Sequence, residues 1–170
     1  MTGLETERMI LRPLTADDVD RVMPFFTDPV AMRFSLTGMR DREGIKLWLE
    51  RALRRYDEDG HGFLAATLKQ TSAYVGHAGL LTQEVEGQPE VEIAYSFLRS
   101  HWGRGLATEA ACACRDYGFR QMGRDRLVSI IVPENSASRR VARQVGMHLE
   151  REAIWSNARV LVYAMTREES

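Results

Sequence analysis

The run from Trp102 to Ala110, WGRGLATEA, constrains this chain more than any other stretch. It follows an alternating, strand-like segment and opens a helical one. Gly103, Gly105 and Ala107, at alternate positions, let the backbone come close to something bulky. The helix start then turns free N–H groups and the positive end of its dipole towards the same point. The turn reads as a phosphate cradle inside a strand–helix–strand unit, and such a unit forms a parallel crossover within a mixed α/β sheet. A dinucleotide-binding turn would carry a further glycine three residues after Gly105, where this chain has Thr108.

Around this turn the periodicities give an ordered set of elements. Arg8 to Leu14 alternates as a strand. Thr15-Ala16-Asp17-Asp18 starts a helix with Val19, Val22, Met23 and Phe26 on one face, and Asp28-Pro29 ends it. Asp41 caps a second helix through Arg55, with Ile45, Trp48, Leu49 and Leu53 inward. Gly62–Leu68, Tyr74–Leu81 and Glu90–Leu98 read as strands, with a turn near Gly87-Gln88-Pro89. A helix from Thr108 to Met122 closes at Gly123, and Leu127–Val132 is an apolar strand covered on both faces. Ser136–Val145 is a short helix, and Leu149–Ile154 with Val160–Thr166 forms a final pair. The expectation is one α/β domain over residues 1–170, with six to seven strands in a mixed sheet and about four helices.

A net charge of -1 provides no global field for nucleic acid or a membrane surface. The opening MTGLETERMILRPL lacks the apolar core of a signal peptide, and no run approaches the ~18–20 apolar residues of a membrane span, so a cytoplasmic protein is expected. Cys112 and Cys114 lie on different faces of a helix and read as packing residues rather than a disulfide or metal pair. His61, His77, His101 and His148 show no metal-ligand spacing, so no metal is expected.

The element order and Trp102-Gly103-Arg104-Gly105-Leu106-Ala107 together resemble the GNAT superfamily of N-acetyltransferases, whose pyrophosphate signature is Q/R-x-x-G-x-G/A. Trp102 departs from the first position. The W-G-x-G-x-A-T-E-A run, the opening LETERMILRPL, and Asn135 with Ser138 resemble the ribosomal-protein-alanine N-acetyltransferase branch. The resemblance implies acetyl-CoA as co-substrate and an amine acceptor, either a protein N-terminus or a small molecule such as an amino acid, polyamine or antibiotic. A non-catalytic CoA-binding regulatory module is the competing reading. Pairing into a homodimer is common in the family, and nothing in this chain compels it.

The backbone amides of Arg104, Gly105, Leu106, Ala107 and Thr108 fit a pyrophosphate cradle. The resemblance assigns pantetheine pairing to Phe97, Leu98 and Arg99, at a bulge where the strand before the turn diverges from Leu127–Val132. It also implies that Asn135 holds the arm and that Ser138, at the family's N-x-x-S position, hydrogen-bonds the sulfur or the pantetheine, as a candidate donor to the departing thiolate. The chemistry is attack of a neutral amine on a thioester. Glu92, on the strand lining the cleft, is the candidate general base, acting through water, and a backbone N–H near Phe97 or Leu98 is the oxyanion donor. Glu92 also reads as a half-exposed strand acid beside a cation, and Asn135 as a plain helix cap. Arg139, Arg140 and Arg143 read as a solvated basic face or a 3′-phosphate contact. Arg33, Phe34 and Trp155 are the candidate acceptor contacts.

Overall fold

The computed structural model describes residues 3–169. Its elements in chain order are β1 (Leu4–Glu5), β2 (Met9–Pro13), α1 (Val19–Phe26), α2 (Arg42–Glu58), β3 (Phe63–Leu68), β4 (Tyr74–Val85) and β5 (Gln88–Phe97). They continue with α3 (Leu106–Arg120), β6 (Arg126–Ile131), α4 (Ser136–Val145), β7 (His148–Trp155) and β8 (Ala158–Thr166). All eight strands form one sheet in the order β1-β2-β3-β4-β5-β6-β8-β7. Every neighbouring pair is antiparallel except β5 and β6, which the α3 crossover makes parallel. The strand count exceeds the expected six to seven because Leu4–Glu5 adds a two-residue edge against Leu11 and Ile10.

Strands β4 and β5 run further than their apolar pattern suggests. Their ribbon continues from Gly76↔Phe97 to Val85↔Gln88. Glu86 (φ +51°) and Gly87 (φ +79°) make the two-residue turn, both with the positive φ that a type I′ hairpin needs. The polar residues Gln83 and Glu84, which resemble a loop in sequence, therefore stay paired. Ser156 and Asn157 close the β7–β8 hairpin with the same geometry.

The register divides the core into two faces. One carries Leu64, Leu80, Ile93, Phe97, Leu127 and Met165 and is covered by α3 and α4, with Cys114 buried among them and Cys112 half-buried at the edge. The other face has two separate clusters. Helices α1 and α2 cover Ala65 with Val22, Phe26, Ile45 and Leu49. Val128, Val162 and Ala164 form the second cluster beyond β5. Glu92 pairs with Leu81 on one side and Val128 on the other, so it sits on this face between the two clusters.

The start of α1 is tied to β2 by Asp18. Its fully buried carboxylate accepts two hydrogen bonds from Arg12 at 2.8 and 2.6 Å, one from Arg21 at 2.9 Å and one from the Thr15 amide at 2.9 Å. At α2, Asp41 caps as expected, accepting from the Gly44 amide at 2.8 Å. No helix among the described residues is long and apolar enough to cross a membrane.

Candidate active site

The sheet opens where β5 leaves β6. Backbone pairing between them is confined to Glu92↔Val128. One residue further on, Ser129 Oγ donates to the Ile93 carbonyl at 2.8 Å, so a side chain takes over where a backbone donor would pair. The Ile130 amide turns to Glu92 Oε1 at 3.4 Å. No bulge breaks β5, whose register with β4 is continuous; the sheet's shifts lie at Ala66/Thr67 and Leu149/Arg151. The divergence thus arises from side chains substituting for the ladder rather than from an extra residue in the strand.

The resulting cleft has a volume of about 500 Å³ and takes in Glu92, Tyr95, Ser96, Asn135, Ser138 and Trp155. On the α1–α2 side it reaches Phe26, Phe34, Arg40, Trp48, Arg51 and His77. Glu92 is not the half-exposed acid that a solvated strand would carry: it is 8% exposed. Burial pushes its carboxyl above the usual range, only partly offset by Gln83 Nε2 donating at 2.8 Å, by Ile130 and by the charge of Arg55. A carboxylate that holds its proton more tightly is a better base near neutral pH.

His77, a second titratable group in the cleft wall, is 2% exposed and surrounded by Phe25, Phe26, Trp48 and Phe63. Burial lowers it to about 3, so it is neutral at pH 7, and its Nδ1 shares a hydrogen bond with Tyr74 Oη at 2.7 Å.

At the end of β5 the structure separates the three residues expected to pair with a pantetheine arm. The Leu98 amide donates to Val75 O at 2.9 Å and so faces β4. Arg99 lies beyond the strand in a 3₁₀ turn (Arg99–His101), with its guanidinium paired to Asp28 at 3.2 Å. Antiparallel alternation turns the Phe97 N–H and C=O the other way, towards the cleft. Trp102 Nε1 occupies that carbonyl at 2.8 Å, which leaves the Phe97 N–H as the outward donor. Leu98 thus spends its N–H on β4 and Arg99 lies beyond the strand, while Phe97 turns its N–H towards the cleft. The bond also explains the tryptophan at the head of the turn: it ties the glycine loop back to β5.

Gly103 (φ +73°) and Gly105 (φ +77°) both adopt left-handed backbone, and Gly105 is the N-cap of α3. Their need for glycine is conformational rather than a matter of crowding. A Cβ at Gly103 would meet nothing, and one at Gly105 only Arg8 Nη2 at 3.4 Å. The space in front of the helix start is open. The first-turn amides of Leu106, Ala107 and Thr108 precede the first intrahelical bond, from Glu109 N to Gly105 O at 3.0 Å. An open loop with unpaired amides and a helix dipole behind them fits a pyrophosphate.

Nothing local marks Glu109 as the residue that clamps this turn to the connection between β1 and β2. Its carboxylate accepts from Thr6 Oγ1 at 2.5 Å, from the Arg8 amide at 2.8 Å and from Arg8 Nε at 2.6 Å, while Arg8 Nη1 donates to Arg104 O at 2.8 Å. Burial alone would raise the Glu109 carboxyl, but these bonds outweigh it and hold it below the usual range.

Asn135 caps α4, its Oδ1 accepting from the Ser138 amide at 3.1 Å. Tyr95 donates to the Ser138 carbonyl at 2.9 Å. Tyr95 was absent from the sequence-derived site, although its alternation with Glu92 and Ser96 along β5 already gave it to the α3–α4 face. Arg139 and Arg143 lie 3.3 and 3.5 Å from Tyr163 Oη, which draws both inward from a purely solvated face. Of the expected acceptor contacts, Phe34 and Trp155 line the cleft. Arg33 lies above the Phe34 ring at 4.7 Å and the Trp102 ring at 5.9 Å, outside the residues that line the cleft.

Residues 8–148 match the family model described as an acetyltransferase (GNAT) domain. The protein YkkB from Bacillus subtilis (strain 168) is 36% identical over 165 residues, covering 95% of this chain and 94% of its own. A crystal structure of an acetyltransferase from Agrobacterium tumefaciens str. C58 superposes with a TM-score of 0.85 at 30% identity, covering 98% of this chain and 95% of that one. A ribosomal L7/L12 α-N-protein acetyltransferase solved in complex with coenzyme A shares the fold, with a TM-score of 0.81, 15% identity and 99% coverage of both chains.

Proposed function

This chain belongs to the GNAT acetyltransferase family, and from that premise we propose that it transfers acetyl from acetyl-CoA to an α-amino group by direct attack in a ternary complex. The observation that carries the reading is the buried carboxylate of Glu92, held at the point where β5 and β6 part and facing a cleft. The protein's own glycine turn supplies the fit for the co-substrate, through the amides of Arg104, Gly105, Leu106, Ala107 and Thr108. Acetyl-CoA brings the activated acyl group as a thioester, and the residues of this chain do the rest.

Glu92 accepts the amine proton, directly or through one water, so that the nitrogen lone pair is free to attack. An α-amine, with a pKa of ~8, is about a tenth neutral at pH 7; a lysine amine at ~10.4 is far less so. A single buried carboxylate therefore suffices for an α-amine. The Phe97 N–H donates to the carbonyl oxygen as negative charge builds there. As the tetrahedral intermediate collapses and the C–S bond breaks, the Ser138 hydroxyl, at the first turn of α4, hydrogen-bonds the departing thiolate, which takes its proton from solvent, and Asn135 fixes that turn. The resemblance to the ribosomal-protein-alanine branch favours a peptide N-terminus, and a free amino acid presents the same α-amine.

Calorimetry with acetyl-CoA and initial-rate acetylation of α-amine peptides test the reading. Binding, intersecting double-reciprocal lines and no accumulated acetyl-enzyme are expected. Absence of binding at millimolar acetyl-CoA refutes it.

A further inference from the structure

The charges lining the acceptor side of the cleft are unbalanced. Arg40, Arg51 and Arg55 face it from α2 and the loop before α2, and Glu92 is the single carboxylate in its lining. Arg55 is engaged, donating to Thr82 O at 2.9 Å and to Asp59 at 3.4 Å. Arg51 is exposed and has no ion-pair partner among the described residues. Arg40 is the telling one. Its Nη2 donates to Thr37 Oγ1 at 2.9 Å and its guanidinium lies 5.7 Å from the Phe26 ring centroid, but its Nε is buried with no partner. A buried N–H without an acceptor costs free energy, and the fork of Nε and Nη is shaped for a carboxylate. Elsewhere the chain supplies that carboxylate itself: Asp18 to Arg12, and Glu90 with Glu150 to Arg126. At Arg40 it does not.

We infer that the acceptor α-amine belongs to a molecule that also carries a carboxylate, held by the guanidinium groups of Arg40 and Arg51, while its amine faces Glu92. The aromatic rings of Phe26, Phe34 and Trp48 form the wall between the two ends. The same arginines repel a polyamine or other polycation. The inference rests on the proposed acetyl transfer and adds the charge of the acceptor. A free amino acid or short acidic peptide and an acidic polypeptide N-terminus present the same chemistry.

The test uses acceptors matched at the amine: Ala-Glu-amide, Ala-Gln with a free C-terminus, Ala-Gln-amide and Ala-Lys-amide, together with Ala-Glu extended by a neutral peptide. Either carboxylate-bearing dipeptide is expected to exceed Ala-Gln-amide by at least about tenfold in kcat/KM, chiefly through KM, with Ala-Lys-amide poorest. Arg40→Gln should bring the Glu-to-Gln ratio towards one. Arg51→Gln, at an exposed position where folding is not at stake, should lower it by a smaller factor. Equal rates for acidic and neutral acceptors, or a preference for Ala-Lys-amide, overturn the inference while leaving acetyl transfer intact. Acetyl-CoA binding with no acetylation of any acceptor overturns both. Rates retained on the extended peptide assign the carboxylate to a polypeptide N-terminus; rates confined to the dipeptides assign it to a small amine.

Discussion

Replacing Glu92 with glutamine removes a charge while keeping the shape, and the structure gives opposite signs for its effects on rate and on stability. A positioned general base contributes roughly a hundred- to ten-thousand-fold, about 3–5 kcal/mol of barrier. The lower end is expected here, because an α-amine with a pKa of ~8 is already about a tenth neutral at pH 7. Glu92→Gln should therefore lower kcat/KM about a hundredfold at pH 7 and recover about tenfold by pH 9, as the amine loses its proton unaided. The wild-type profile should show an acid limb above the ordinary carboxyl value of 4.5, and the variant should lack it. Stability should move the other way. The folded-state carboxyl is raised by burial, so its contribution is fully present below 4.5 and is lost as pH rises through the folded value. At pH 7 the wild type keeps a buried charge that glutamine does not have, and Gln83 still has an oxygen to donate to. The assay is initial-rate kinetics from pH 5 to 9 beside urea denaturation at pH 7, with acetyl-CoA affinity by calorimetry as the control. An unchanged rate at pH 7, or an acid limb that survives in the variant, refutes Glu92 as the base. A variant less stable than wild type refutes the account of its burial.

Gly105→Glu forces a side chain into left-handed backbone and puts a carboxylate at the cradle; acetyl-CoA binding by calorimetry should be lost in a folded protein, and normal affinity would remove the turn from the site. Asp18→Asn should cost about 2 kcal/mol or more in urea denaturation at pH 7. Burial opposes the charge of Asp18, but Arg12, Thr15 and Arg21 bring its carboxyl down from 3.8 to about 2, so the wild-type contribution should be present above 3.8 and fade as pH falls towards 2; a variant with the same pH dependence would contradict this. Glu109→Gln should weaken acetyl-CoA binding several-fold with the rate at saturation little changed, because it loosens Arg8 and the Arg104 carbonyl rather than the reacting centre; a fall in kcat alone would refute that separation. Ser138→Ala should lower kcat with acetyl-CoA affinity kept, and identical kcat would remove the hydroxyl as donor to sulfur.

The parts of this fold that periodicity and turn chemistry dictate were legible in the chain. Ser136–Val145 was bounded by Asn135 and Gly146, and the helix forms between those caps. The glycine turn between strand and helix is legible, and the parallel crossover follows from it, but the sequence reads its glycines as room for a ligand where the structure uses them for positive φ. What escaped depends on partners distant in sequence. Asp18 reads as an ordinary first-turn acid until Arg12 folds over it, and Glu109 as a helix acid until Thr6 and Arg8 arrive from the connection between β1 and β2. Gln83 and Glu84 look like loop residues until a two-residue turn at Glu86-Gly87 extends the ribbon past them.

The candidate site divides along the same line. Its donor half is a local device, a turn and a helix start, and a stretch of nine residues carries it. Its acceptor half is assembled from β5, β6, α2 and the loop before α2, so no single segment contains it. Arg40 in sequence is one of many arginines; only the fold leaves its Nε buried and unmatched. Under the proposed reading, a cleft with Glu92 at one end and guanidiniums without carboxylate partners at the other selects for charge as well as for an amine. A glycine motif shared by acetyltransferases with different acceptors cannot encode that selection, because the residues that make it lie on the opposite face of the sheet from the helix that the motif begins.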